Sequence, residues 1–342
     1  MPLQKLAFPP GVFRDQTRGS TEGRWFDCDK IRFRAGLPQK IGGWQRFSED
    51  TTDGQIRFLF NFISLTENNY LAIGSSQRFY IEEGGDFTNV TPLRKTVSLG
   101  ANPITTGAAS SGVITVADTG HGAVFNDFVT LAGATLTDGI TTAQINTTHQ
   151  ITEIVSDNAY KVDTGGSASS GTTAGGGGSV TAAYEINVGL DTSVQGRGFG
   201  AGTFSRGTFG SAAATSAGAV NELRLWSADN FGEDLVFNVR NGGVYYWDES
   251  DGLSTRAIAL SAVSGASDAP VIATQVMVDN NARQTLAFGC NAVGSATQDK
   301  LLIRWSDQES AVDWTPTALN TAGDLRLNSG SQIVRAYATR QE

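Results

Sequence analysis

Residues 221–248 read NELRLWSADNFGEDLVFNVRNGGVYYWD. Three short runs in this stretch read as strands: Glu222–Ser227, which alternates apolar and polar residues, and Asp234–Asn238 and Gly243–Asp248, which are rich in β-branched and aromatic residues between turns. Alternation at period two puts successive side chains on opposite faces, which is the pattern of a β-strand. Gly232 and Asn241-Gly242-Gly243 separate the runs and supply turn chemistry. The stretch predicts a meander of short antiparallel strands. Moving toward the C-terminus, Thr285–Gly289 and Lys300–Ser306 repeat the pattern. Toward the N-terminus, so do Gln55–Leu65, Tyr70–Gly74, Arg78–Ile81 and Phe87–Pro92, with a turn at Glu83-Gly84-Gly85-Asp86. Nowhere do apolar residues recur at i, i+3, i+4 and i+7 over three turns. The fold class is all-β.

Composition agrees with that reading. Forty-one glycines against 8 prolines, with charged residues at 17%, describe many short strands joined by turns. At 39% hydrophobic, with 18 Phe, 7 Tyr and 6 Trp, the 342-residue chain can bury a core and is not disordered. Trp226-Ser227 and Trp305-Ser306 stand 79 residues apart, about two propeller blades of ~40 residues each. Radially repeated four-stranded sheets account for this better than a closed barrel. Trp226, Trp247, Trp305 and Trp314 are the expected blade-core aromatics.

Four segments follow. Residues 1–46 form a basic N-terminal arm, residues 47–94 begin the β-propeller-like body, and residues 191–342 continue it. Between them, residues 95–190 shift to Thr, Ser, Gly and Ala and predict an inserted small β-sandwich-type domain. In the insert, Gly165–Gly178 reads as a flexible loop. Gln195–Ser211 reads as a loop pinned by Phe199, Phe204 and Phe209. At the C-terminus, Ile333, Arg335 and Tyr337 alternate like a strand without a partner, so the last blade is expected to be unfinished.

The net charge of −9 is unevenly spread: residues 1–46 carry +5 and the remainder −14. An acidic majority does not suit a grip on duplex DNA, which needs clustered Lys and Arg. It does suit a wall past which DNA slides. In the arm, Asp29–Arg34 alternates, and the reading places Ile31 and Phe33 on one face and Lys30, Arg32 and Arg34 on the other. These three cations, with Arg24 and Lys40, are the expected subunit contact, where charge supplies register and specificity. Two distant cysteines, Cys28 and Cys290, read as reduced. No apolar run is long enough for a signal peptide or a bilayer span, so no membrane insertion is expected.

Residues that chemistry would need are present only in ordinary contexts. Asp229, Glu233, Asp234, Asp248 and Glu249 sit in turns, where exposed acids are common. Trp305–Ser310 lacks the Gly and Thr of a sialidase Asp-box. His121 and His149 have no neighbouring cysteine with which to hold zinc. Gly196–Gly202 (GRGFGAG) lacks the strand and helix of a phosphate loop. The turn Asp248–Gly252 offers acids to a weakly bound calcium ion. No catalytic, cofactor-binding or metal-binding residue is assigned, and the chain is not read as an enzyme. The alternative is a carbohydrate-binding or glycosidase-type propeller that uses the four tryptophans as stacking platforms.

One stretch points to a family. Pro10-Gly11-Val12, Trp25-Phe26-Asp27-Cys28-Asp29-Lys30-Ile31-Arg32-Phe33-Arg34 and Pro38-Gln39-Lys40-Ile41-Gly42-Gly43-Trp44 resemble the start of tailed-phage virion structural proteins. Residues 225–238, 242–248, 303–316 and 322–334 resemble the body of the same proteins, and residues 114–133 resemble a β-module that recurs in phage proteins. The resemblance implies a nozzle-like tail protein of a short-tailed phage. It implies copies of itself in a ring, usually six-fold, with portal or adaptor and distal tail proteins as neighbours. It further implies transient contact with DNA in the exit channel and a place in the virion after synthesis in the host cytoplasm.

Overall fold

The computed structural model describes residues 8–43, 45–190 and 223–338. The chain divides into two units, Met1–Glu49 and Asp50–Glu342. The predicted Gln195–Ser211 loop and the Gly196–Gly202 motif lie outside the described residues.

In the first unit, strands β1 (Ile31–Arg34) and β2 (Leu37–Lys40) form an antiparallel hairpin. Ala35 and Gly36, at φ 49° and 78°, make its two-residue turn. Positive φ at both positions matches the right-handed twist of the flanking strands. Trp25 packs beside the hairpin, with ring centroids 5.8 Å from Phe8 and 6.1 Å from Phe33.

The second unit is built from sheets. The first contains β3 (Ile56–Ile63), β4 (Asn69–Ser75), β5 (Phe79–Glu83) and β6 (Asp86–Asn89). An insert follows, with β7 (Leu93–Ser98), β8 (Ile104–Thr106), β9 (Val113–Ala117), β10 (Phe128–Ala132), β11 (Thr148–Ser156), β12 (Ala159–Asp163), β13 (Ala174–Gly175) and β14 (Thr181–Glu185). A second four-stranded sheet contains β15 (Trp226–Phe231), β16 (Asp234–Val239), β17 (Val244–Trp247) and β18 (Ile258–Ala259). A third contains β19 (Gln275–Asp279), β20 (Gln284–Phe288), β21 (Leu302–Trp305) and β22 (Gly323–Arg326). Each four-stranded sheet is an antiparallel meander whose strands pair in chain order, which is the topology of a propeller blade. The fold is all-β with several sheets, and no sheet closes into a barrel among the described residues.

Alternation along β16 shows how the three sheets stack. Leu235 and Phe237 join Phe62, Phe79, Ile81, Trp226 and Trp247 in one core. Val236, between them, points to the other side and joins Val276, Ala287, Leu302 and Trp314. The middle sheet is therefore buried on both faces, one against each neighbour. Phe79 and Phe237 stack at 4.1 Å across the first of these interfaces. The backbones of neighbouring sheets approach where β15 meets β3 and where β15 and β16 meet β19. Here β15 covers the unpaired edge of β19: Val276 N–H donates to Ser227 Oγ and Val278 N–H to Asp229 Oδ2, both at 2.9 Å. An exposed strand edge is thereby satisfied by the side chains of the next sheet.

The insert is one eight-stranded sheet, in the order β13-β8-β9-β12-β11-β10-β14-β7. Two irregularities in β11, between Ile151 and Glu153 and between Ile154 and Ser156, bend it. Strands from both ends of the order, β8 through Ile104 and β14 through Ala182 and Tyr184, fill the same core, so the sheet rolls over on itself.

Several expectations need correction. Gly165–Gly178 is not a free loop: β13 lies within it, and Asp138 holds it through Ser170 N–H at 2.9 Å, Ser170 O–H at 2.7 Å and Gly171 N–H at 2.7 Å. Its glycines permit close backbone approach rather than motion. Residues 333–337 form no strand. Ile333 N–H donates to Lys300 O at 2.9 Å, and the Ala336 backbone pairs with the Gln275 side chain at 2.8 and 2.9 Å. The third sheet gains its fourth strand earlier, from β22, so it is a complete meander. Strand β15 begins at Trp226 rather than Glu222 and continues to Phe231.

Two predictions follow from this packing. A Cβ on Gly74 would lie 2.5 Å from Trp226 Cδ1 and 2.7 Å from its Cγ. Gly74→Ala is expected to destabilise by about 1–3 kcal/mol in urea unfolding, while Gly178→Ala, with open space beside it, stays near wild type. The hydrogen bonds from the Ser170 and Gly171 segment lower the Asp138 pKa to about 2 from 3.8. A depressed carboxylate contributes stability that is complete above its unfolded value and lost as pH falls through the folded one. Amide protection at Ser170 and Gly171 is therefore expected to fall between about pH 4 and pH 2, and to be low at all pH values in Asp138→Ala.

Candidate functional site

The hairpin holds most of the residues expected to form a subunit contact. Directly opposed residues share a face, so Ile31 with Lys40 and Phe33 with Pro38 lie on one side. Arg32 with Gln39 and Arg34 with Leu37 lie on the other. Lys30 departs from the alternation predicted for it. Its φ of 56° turns the chain just before β1, and Lys30 lines the Ile31 side. There a groove of about 410 Å³ is bounded by Trp25, Lys30, Ile31, Pro38 and Lys40, with Asp29 at 3.7 Å from Lys30 Nζ. Cations thus occur on both faces of the hairpin rather than on one. Arg32 Nε donates to Gln39 Oε1 at 3.0 Å, and Arg24 lies over the Phe13 ring at 4.4 Å. Of the eight strand residues only Phe33 is half-buried, and Leu37 is 70% exposed.

The four tryptophans separate. Trp226, Trp247 and Trp314 are buried, and none offers a ring face to solvent. Trp226 Nε1 donates to Ser75 O at 2.7 Å, joining the second sheet to the first. Trp314 Nε1 donates to Ala311 O at 2.9 Å beside the buried Arg304, which donates to the carbonyls of Asn291, Asp268 and Trp314. Trp305 is half-buried on the outer face of the third sheet, its Nε1 donating to Thr321 O at 2.7 Å.

The acids considered for glycosidase chemistry have structural partners. Burial pushes the Asp229 carboxyl up, and the Val278 and Asn230 N–H groups pull it back. Glu233 accepts from Leu65 N–H at 2.9 Å, and Glu249 from Tyr70 O–H at 3.0 Å. Burial also raises Asp234, which accepts from the Tyr246 hydroxyl and from Glu249 N–H at 3.1 Å. Asp248 caps a short 3-10 turn, Glu249–Asp251, through Ser250 N–H at 2.9 Å. Among the described residues no group of three or more His, Cys, Asp or Glu side chains is placed to hold a metal ion. His121 is buried: Nδ1 accepts from Ala123 N–H at 3.0 Å, so Nε2 carries the proton donated to Ser156 O at 2.9 Å. His149 Nε2 bonds to Ile145 O at 2.9 Å. Both cysteines are free, and burial pushes the Cys290 thiol up to about 12. No helix among the described residues is long and apolar enough to cross a membrane.

Sequence reading missed a charged junction. Glu185, at the end of β14 and 1% exposed, accepts from Arg78 Nε at 2.8 Å and Nη2 at 3.0 Å. It also takes Asn89 Nδ2 at 3.0 Å and Arg256 Nη2 at 2.9 Å. Arg78 further reaches Asp53 at 2.6 Å and lies 3.6 Å from the centroid of the Phe128 ring. One carboxylate therefore ties together the insert (Glu185, Phe128), the first sheet (Arg78, Asn89) and the end of the second (Arg256). The partners are far apart in sequence and Glu185 closes a short strand rich in alanine, so no local signal marks it.

No protein-family model and no curated protein matches the chain. Among solved structures, a phage phi92 endosialidase is similar at 12% identity and a TM-score of 0.23, over 87% of this chain. This chain spans 41% of that protein's length, and a likeness at this level carries no functional argument.

Removing one partner from a buried, fully bonded ion group leaves charges without compensation. Glu185→Ala is expected to cost about 3–5 kcal/mol in urea unfolding, whereas Glu153→Ala, which loses only a surface pair with Lys161, changes stability by under ~1 kcal/mol.

Proposed function

We propose that this chain is a structural subunit of a bacteriophage tail, present in the virion after synthesis in the host bacterial cytoplasm. In this reading copies of it assemble into a nozzle-like ring around the DNA exit channel, joining portal or adaptor to the distal tail. The observation that carries the reading is where the most family-like residues lie. Trp25–Arg34 and Pro38–Gly43 form and flank a hairpin whose strand residues are almost all exposed. A two-stranded hairpin is marginal alone in water and gains stability from a further strand or packed surface. Residues of such specific type, unused for an internal core, suit contact with another chain.

Charge and packing support the same partner. The arm is cationic and the rest of the chain acidic, so a copy of the chain offers a complementary surface. The outer face of the third sheet carries Met277, Leu286, Phe288, Ile303 and Trp305, only half-buried, with Leu325 at 54% exposure. That face is apolar and suited to packing against a further surface. The acidic balance also suits a channel wall that duplex DNA passes without gripping.

The test is assembly. By light scattering and electron microscopy, the wild-type protein is expected to form closed rings at micromolar concentration, and tagged protein to locate on the tail axis in virions. Arg32→Glu/Arg34→Glu is expected to remain monomeric with an unchanged circular dichroism spectrum. A protein that is monomeric at every concentration and missing from virions overturns the proposal.

A further inference from the structure

The two edges of the hairpin differ in what their backbones offer. Arg34 and Leu37 close it around the Ala35-Gly36 turn, and Ile41 N–H donates to Lys30 O at 2.9 Å. Bonded and non-bonded pairs alternate along an antiparallel ladder, so Arg32 and Gln39 are bonded to each other as well. Ile31 and Phe33 on β1, and Pro38 and Lys40 on β2, therefore turn their backbone groups outward. Pro38 has no N–H, which interrupts the row of donors along the β2 edge. The β1 edge is uninterrupted. Ile31 and Phe33 each present an N–H and a C=O there, and no group among the described residues bonds to them.

The side chains flanking this edge are of two kinds. Ile31 and Phe33 lie on the side of Trp25 and Pro38, whereas Arg32 and Arg34 lie on the opposite face. Arg32 donates to the neutral Gln39 Oε1, and among the described residues neither arginine is paired with a carboxylate. Three acids of this unit are committed to other cations: Asp27 to Arg14, Asp29 to Lys30 and Glu49 to Arg46. A strand laid beside β1 sends successive side chains to the two faces in turn. Apolar residues then meet Ile31 and Phe33, and carboxylates meet Arg32 and Arg34.

We propose that the β1 edge takes an added strand, an extended segment of another polypeptide in which carboxylate and apolar residues alternate. Main-chain bonds to Ile31 and Phe33 hold the segment, and its charges select it. This names the mode and the chemistry of the contact made by the hairpin, and it rests on reading the hairpin as a contact between chains.

The probe is the peptide acetyl-Ser-Glu-Val-Glu-Val-Glu-Ser-amide, added to the full-length wild-type protein held dilute enough to be monomeric. Backbone amide resonances of Ile31 and Phe33, assigned by their loss in Ile31→Val and Phe33→Leu, are expected to shift saturably with a midpoint at or below ~1 mM. The same peptide with lysine in place of glutamate leaves them unmoved. N-methylation of the peptide at its valines or at its glutamates blocks one row of donors, and one of the two forms is expected to bind at least ~10-fold more weakly. Loss with methylated valines marks an antiparallel strand, and loss with methylated glutamates a parallel one. Arg32→Gln/Arg34→Gln is expected to weaken the glutamate peptide at least ~5-fold. The proposal is overturned if neither amide shifts up to ~10 mM peptide, ten times that midpoint. It is equally overturned if the lysine peptide or both methylated forms bind as the parent does. Light scattering separates this result from ring assembly: a monomer that takes the peptide but never forms rings removes the ring and keeps the edge site. Rings formed by a protein whose monomer ignores the peptide do the reverse.

Discussion

The middle sheet is buried on both faces, and this constraint organises the body of the molecule. In β16, Leu235 and Phe237 pack toward the first sheet while Val236 between them packs toward the third. A strand buried on both faces needs apolar residues at consecutive positions, which is why DLVFNV lacks the clean alternation of a half-exposed strand. Sheets stacked in this way have no intrinsic end. Each sheet covers one face of its neighbour and presents another, and the third sheet presents Met277, Leu286, Phe288 and Ile303. Natural β proteins either cover such a face or lend it to a partner.

Polar groups hold the stack in register. Ser227 and Asp229 receive the free N–H groups of β19, Trp226 reaches across to Ser75, and Glu185 gathers two arginines and an asparagine at the root of the insert. The cost of burying the Glu185 charge is offset only because every bond to it is made. The same logic marks Arg94 as unusual, since its fork is buried and unmatched by any described side chain or carbonyl.

Much of this was legible in the residues. Strands β3–β5, β16, β17, β20 and β21 announce themselves through alternating or aromatic-rich runs between glycine turns. Strand β14 (TAAYE) and β22 (GDLR) do not, because alanine, glycine and a single leucine carry little strand preference and tertiary packing decides them. Strand β8 is three residues long and β13 two, too short for any period. The hairpin was readable as a strand with Ile31 and Phe33 opposite Arg32 and Arg34, but not the side taken by Lys30, because its positive φ breaks the alternation that the pattern assumes. The Glu185 junction assembles residues from separate elements, and such a site becomes visible only once the chain is folded.

In the proposed role the N-terminal hairpin packs against another subunit. Hydrogen–deuterium exchange over residues 31–40, followed in dilute monomer and in assembled protein, addresses it most directly. The account predicts exchange within seconds in the monomer and protection by at least ~100-fold on assembly, the contrast between a frayed and a packed strand pair. Strong protection already in the monomer, unchanged by assembly, would contradict it.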